Sequence, residues 1–146
     1  MIKLYTIGFT GKSAEAFFEL LEQNQVKKII DTRIRNNSQL SGFAKGKDLA
    51  FFARRIANID YEHELKFAPT NELLTNYRQK NISWDEYTRE YIHLLATRNV
   101  KEEVDTEALH QCCLLCSEHS PEKCHRRLLA EYLKEINPDI EIIHLQ

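Results

Sequence analysis

No stretch of the 146 residues approaches the roughly 18 consecutive apolar residues of a membrane span. The amino terminus lacks a signal-peptide core, since Lys3 is charged and a strand-like stretch follows it. The expectation is therefore a cytoplasmic protein with no membrane partner. A charge excess of either sign is missing too: 20 Lys and Arg nearly balance 22 Asp and Glu. That excludes the overall footprint of a bulk nucleic-acid binder, so any polyanion site has to be local. Cysteine is absent outside one short window holding Cys112, Cys113, Cys116 and Cys124. Such clustering is the wrong distribution for a secreted disulfide scaffold and points to chemistry, metal binding or coincidence. Repeats, low-complexity tracts and interdomain linkers are also lacking. The length suits one domain spanning residues 1–146, and 42% hydrophobic content can bury a core without disulfides, metals or oligomerisation. Composition carries no information on oligomeric state.

What is present reads as alternating strands and helices. Lys3 to Ile7 is β-rich and stops at Gly8-Phe9-Thr10-Gly11, after which Ala14, Phe17, Phe18, Leu20 and Leu21 recur at helical spacing behind Ser13 as N-cap. Val26 to Asp31 forms a second strand ending in Asp31-Thr32-Arg33. A strand-helix-strand of this length implies parallel pairing with a right-handed crossover. Residues 34–46 are polar and aperiodic, which predicts a long surface loop at the same end of the sheet. A helix over 47–57, a short strand over 61–65 and a break at Pro69 follow. From Glu72 to Arg98 the pattern is helical, interrupted near Asn81 by a cap, and its aromatics Trp84, Tyr87 and Tyr91 read mainly as core. Gln111 to Cys116 is a buried strand, 117–123 a loop, and Cys124 to Ile136 a helix ended by Asn137-Pro138; Ile140 to Leu145 is the last strand. The fold class is α/β: a compact single domain with a mostly parallel sheet flanked by helices.

The first helix and the helix opening at Cys124 should both start beyond strand carboxyl ends, where free N–H groups and the helix dipole favour an anion. Open α/β sheets bind their ligands there. Arg126 and Arg127 in a first helical turn oppose the dipole unless an anion sits alongside, or unless one pairs with Glu118 or Glu122. Cys124, a thiol at a helix start beside His125 and Arg126, is placed as reactive cysteines are. Cys116, at the preceding strand's end, could face it as nucleophile, redox partner or packing thiol. Cys113, Cys116, Cys124 and His125 also make a tempting zinc set, but residues three apart on a strand point to opposite faces, so no metal or other cofactor is expected. Gly11-Lys12-Ser13 resembles the end of a phosphate-binding loop, yet the motif's first glycine would fall at Thr6 inside the strand; Lys12 is expected to cap a short turn or add to a positive mouth. Asp31 and Arg33 either have a structural role, pairing with each other or anchoring the Asn36 to Phe43 loop, or work in catalysis.

These landmarks occur together in one family. Tyr5-Thr6-Ile7-Gly8, Asp31-Thr32-Arg33, Ser38-Gln39-Leu40 with Gly42-Phe43, Tyr61-x-His63, Ala68-Pro69-Thr70, Trp84-x-x-Tyr87, and Leu115-Cys116-x-Glu118 through Cys124-His125-Arg126 resemble the DUF488 family over nearly the whole chain. The resemblance implies a compact α/β domain and supports the choice of site, without naming a reaction. Many members have His-Ser where this chain has Phe9-Thr10, so a histidine base at position 9 is excluded; many carry proline where this chain has Asn36-Asn37.

The leading expectation is an enzyme for a phosphate-bearing partner, a small molecule such as a nucleotide or a nucleic-acid end. Gly8, Arg33 and Arg126 would hold the anion, Asp31 or His125 would move a proton, and Cys116 or Cys124 would be nucleophile or site wall. The alternatives are a noncatalytic module binding nucleic acid or protein through the same edge, and a thiol redox or metal-binding protein.

Overall fold

The computed structural model describes residues 1–37, 42–118 and 120–146. Apolar residues on both faces of each inner strand, the mark of buried parallel strands, build one five-stranded sheet. Its members are β1 (Ile2–Gly8), β2 (Lys28–Asp31), β3 (Asp60–His63), β4 (Cys112–Cys116) and β5 (Ile140–Leu145), all parallel, in the order β3-β2-β4-β1-β5. The helices are α1 (Ala14–Gln23), α2 (Gly46–Ala57), α3 (Asn71–Arg78), α4 (Trp84–Thr97), the single turn α5 (Val100–Glu103) and α6 (His125–Ile136). None among the described residues is long and apolar enough to cross a membrane.

Period-two alternation divides the core. Tyr5, Ile7, Ile29, Cys113 and Leu115 face α1 and α2, packing on Phe17, Phe18, Leu21, Leu49 and Ala53. Leu4, Ile30, Cys112 and Leu114 face the other way, onto Tyr87, Tyr91 and Leu95 of α4 and Leu129 and Leu133 of α6. The chain first builds outward from β1 to β2 and β3, then returns through α3, α4 and α5 to insert β4 between β2 and β1. At its carboxyl end β4 turns into α6 on one face, while β1 and β2 lead to α1 and α2 on the other. That reversal is the topological switch point of an open parallel sheet, where a crevice forms.

Local chemistry sets the boundaries. Ser13 accepts from the Ala16 N–H at 3.1 Å to start α1. The break in the long helical stretch lies where expected, but Ser83 is the cap of α4, accepting from the Glu86 N–H at 3.1 Å. Asn81 instead closes α3, its N–H donating to the Asn76 carbonyl. The expected loop 34–46 is only partly loop: residues 42–44 form a short 3-10 turn, and the Gly46 N–H donates to the Asn36 carbonyl. Ser38, Gln39 and Leu40 lie outside the described residues.

Candidate functional site

Cys116 is the last residue of β4, paired in register with Gly8 of β1, and Cys124 is the N-cap of α6. A thiol is a weak acceptor, and Cys124 makes no side-chain cap bond. The two sulfurs, eight residues apart in sequence, are joined across the intervening loop. Their α-carbons are 7.7 Å apart, beyond the roughly 4.4–6.8 Å usual for bridged cysteines. Cys113 faces the opposite side of the sheet, as strand parity requires, and the four-ligand zinc arrangement does not assemble. Among the described residues no group of three or more His, Cys, Asp or Glu is placed to hold a metal ion. Burial pushes the Cys112 and Cys113 thiols up and leaves them as packing residues.

Arg126 is completely buried under this pair. Its Nε donates to Thr6 Oγ1 at 3.3 Å, and its Nη1 donates to Cys116 Sγ at 3.1 Å and to the Glu118 carbonyl. Loss of water brings the guanidinium down to about 10, which still leaves it charged at neutral pH. The positive charge in the first turn of α6 thus faces a sulfur and a loop carbonyl inside the protein. Arg127 pairs one turn along with Glu131 at 3.6 Å, not with Glu118 or Glu122.

His125 opens α6 and lies edge-on to Tyr91, ring centroids 5.6 Å apart. Its Nε2 is 2.9 Å from the Thr32 carbonyl, which can only accept, so Nε2 carries the hydrogen and Nδ1 keeps its lone pair. The Thr32 hydroxyl, 2.9 Å from the same nitrogen, donates its own proton to the Leu115 carbonyl. Desolvation lowers the imidazole to about 4, so it is neutral near pH 7. A base depressed from 6.5 to about 4 stabilises the fold fully above pH 6.5 and loses that contribution as pH falls toward 4. Acidification to about pH 4.5 should therefore cost about 2.5 kcal/mol through this residue. Urea melts of wild type and His125→Gln across that range check it: the variant, which keeps an N–H donor but cannot titrate, should lose most of the dependence. Equal slopes would show that the proton is taken up elsewhere.

The end of β2 is organised by charge. Asp31, fully buried, accepts from Arg33 Nε at 2.9 Å and from the Arg33 N–H at 3.1 Å on one oxygen. The other oxygen accepts from Arg33 Nη2 at 2.8 Å and from the Tyr61 hydroxyl at 2.6 Å. Burial, and then the bond to Asp31, push the Tyr61 phenol well up, keeping it a donor. Arg33 Nη2 also donates to the Ala44 carbonyl at 2.7 Å, so the pair anchors the loop, one of the two roles its sequence position suggests. Arg33 is 5% exposed, its guanidinium lies 5.1 Å from the centre of the Phe9 ring, and its Nη1 has no hydrogen-bond partner among the described residues. Phe9 thus serves as a floor for this cation.

These pieces surround a concave cavity of about 780 Å³ at the carboxyl ends of the strands. Arg33, Cys116, Cys124 and His125 line it, whereas Gly8, Asp31 and Arg126 are not part of its wall. Asp31 and Arg126 lie behind the surface and hold Arg33 and Cys116 in place. Gly8 serves by having no side chain, because the carbonyl of Glu118 occupies the space a Cβ would need. Lys12 caps the turn as expected, with Nζ donating to the Gly8 carbonyl at 2.8 Å. Among the described residues the wall also contains Arg35, Arg78 and Lys123, three exposed cations against the single carboxylate Glu118, and the rings of Tyr77 and Trp84. None of these stands out in sequence; Trp84 shows as a landmark but reads as core. Another depression, about 510 Å³ beside β3, has its charges already paired, Lys28 with Glu62 and Arg54 with Asp60.

No curated protein and no solved structure matches the chain. One family does, over residues 13–133, a span that includes both halves of the site from Asp31 and Arg33 to the start of α6. The chain therefore belongs to DUF488, a domain family of unknown function.

Proposed function

We propose that the cavity is the active site of an enzyme for a phosphate-bearing ligand, a nucleotide or a nucleic-acid end, seated against Arg33 and the first turn of α6. The observation that carries this reading is Arg33 Nη1, a buried guanidinium nitrogen without a partner among the described residues, on a side chain that lines the cavity. A buried donor left unmade costs about 1–3 kcal/mol, a cost that a small shift of the guanidinium toward an anion in the cavity would remove. The uncapped start of α6 adds backbone N–H groups and a favourable dipole. Arg35, Arg78 and Lys123 give the mouth a positive sign that the chain as a whole, at net −2, does not have. Cys116 and Cys124 are the reactive groups beside the seat. His125, neutral and bound through Nε2 to Thr32, offers Nδ1 as an acceptor and takes a positioning role. A concave wall in which Arg33, Cys116 and His125 meet favours an enzyme over a flat binding module.

Thermal shift against nucleotides, inorganic phosphate and short oligonucleotides tests this. A ligand present at about 100 times its Kd should stabilise the protein by about 2.7 kcal/mol. The shift should fall sharply in Arg35→Ala/Arg78→Ala, two exposed positions whose loss does not disturb the fold. Turnover of the ligand so found should disappear in Cys124→Ser while binding persists. No shift from any phosphate compound, or a shift equal in the double variant, would overturn the reading.

A further inference from the structure

We infer that Cys116 and Cys124 form a dithiol–disulfide exchange centre whose substrate is a small disulfide carrying negative charge. Three features lead there. The two sulfurs are already joined across a loop, at the wall of an open cavity. Each has an electropositive partner: Cys116 Sγ accepts from Arg126 Nη1, and Cys124 occupies the N-cap of a 12-residue helix with that guanidinium 4.0 Å from its sulfur. Both settings favour the thiolate. The remaining cysteines, Cys112 and Cys113, are buried in the two cores and absent from the cavity wall, so exchange is confined to one pair.

The cavity also suggests an order of events. Cys124, at the helix start, is the less enclosed of the two at 4% exposure against 1% for Cys116. In the reduced protein the Cys124 thiolate attacks one sulfur of the incoming disulfide. The substrate S–S bond breaks, a mixed disulfide forms on Cys124, and the first thiolate leaves to take a proton from water. The Cys116 thiolate, held by Arg126, then attacks the Cys124 sulfur, closes the protein bridge and expels the second thiolate. Two electrons pass from the protein pair to the substrate, and an excess of small thiol reverses both steps. Arg35, Arg78 and Lys123 around the mouth select a disulfide with carboxylates or similar anionic groups.

This activity shares the cavity with the phosphate-bearing ligand but does not depend on it. The test is a single turnover of pre-reduced protein with the dianionic nitrobenzoate disulfide used for thiol titration, followed by intact mass. Wild type should rapidly release two coloured thiolates and retain no adduct, having closed its own bridge. Cys116→Ser should release one and keep one adduct, and Cys124→Ser should lose the fast phase. The rate should fall several-fold in Arg35→Ala/Arg78→Ala and in high salt. Adducts retained on both cysteines of the wild type, or a fast phase that survives Cys124→Ser, would overturn the proposal. Circular dichroism of each variant separates loss of exchange from loss of fold, and phosphate-induced thermal shifts read on the reduced Cys116→Ser protein let either proposal fail without the other.

Discussion

Asp31→Asn should destabilise the protein by about 3–5 kcal/mol, the cost of leaving a buried cation without its counter-charge. The substitution barely changes shape, so the loss isolates electrostatics and hydrogen bonding. Asp31 is fully buried and takes four donors, three from Arg33 and one from Tyr61. An amide in its place presents two donors to a guanidinium and a phenol that are themselves donors. Arg33 is only 5% exposed, with Phe9 beneath it and the Ala44 carbonyl at its end, and these hold it in place over Asp31. For a chain of this size the loss corresponds to a fall in Tm of roughly 10 °C or more. Tyr61→Phe, which removes the bond to Asp31 and the one accepted from Asn36 but no charge, should cost about 2 kcal/mol. Removing both charges in Asp31→Asn/Arg33→Gln should be less damaging than the single change, because no uncompensated ion is left inside. Denaturant melts of these three variants and of Arg33→Gln alone give the comparison. A single variant within about 1 kcal/mol of wild type, or a double variant equal to the sum of its parts, would show that the pair is not coupled as the geometry requires.

The parts of the fold legible in the sequence are those decided by neighbours along the chain. Ser13 at the head of α1, the break before α4, and Asn137-Pro138 after α6 punctuate elements whose periodicity is strong, and the last strand runs over the expected residues. Parity along β4 separates Cys113 from Cys116 without any knowledge of the sheet. What sequence does not reveal is strand order. The insertion of β4 between β1 and β2 brings Thr6 and Cys116 around the head of α6, and these supply the acceptors that let Arg126 be buried. Without that contact a first-turn arginine reads as exposed and anion-facing. For the same reason Arg35, Arg78 and Lys123 are invisible as a group, since they come from the loop after β2, the end of α3 and the loop before α6. Asp31 and Arg33 are two residues apart and so show at once as a pair, but the placing of Arg33 on the cavity wall with Asp31 behind it depends on β3 and the residues around Ala44.

Gly8→Ala should be almost as costly as the loss of Asp31, at about 3–4 kcal/mol, although it adds a single methyl group. Gly8 ends β1 directly beside Cys116, where the chain after β4 folds back over the switch point. A Cβ built there overlaps the carbonyl carbon and oxygen of Glu118 and comes within 2.7 Å of Arg126 Nη1. Backbone cannot rotate aside as the tip of a long side chain can, so the loop from Ser117 onward has to move. That movement breaks the hydrogen bond from the Thr10 N–H to the Ser117 carbonyl and the bond from Arg126 to Glu118, leaving a buried guanidinium under-satisfied. The same displacement shifts Cys116 and Cys124 relative to each other, so the variant should also close its disulfide more slowly in the single-turnover assay, even under conditions where it remains folded. Glu118→Ala, which keeps the carbonyl and deletes only an exposed carboxylate, should leave stability within about 0.5 kcal/mol of wild type. Urea unfolding distinguishes the two. A Gly8→Ala protein as stable as Glu118→Ala would mean that the loop has room to spare and that the close approach at the head of β1 does not position the thiols.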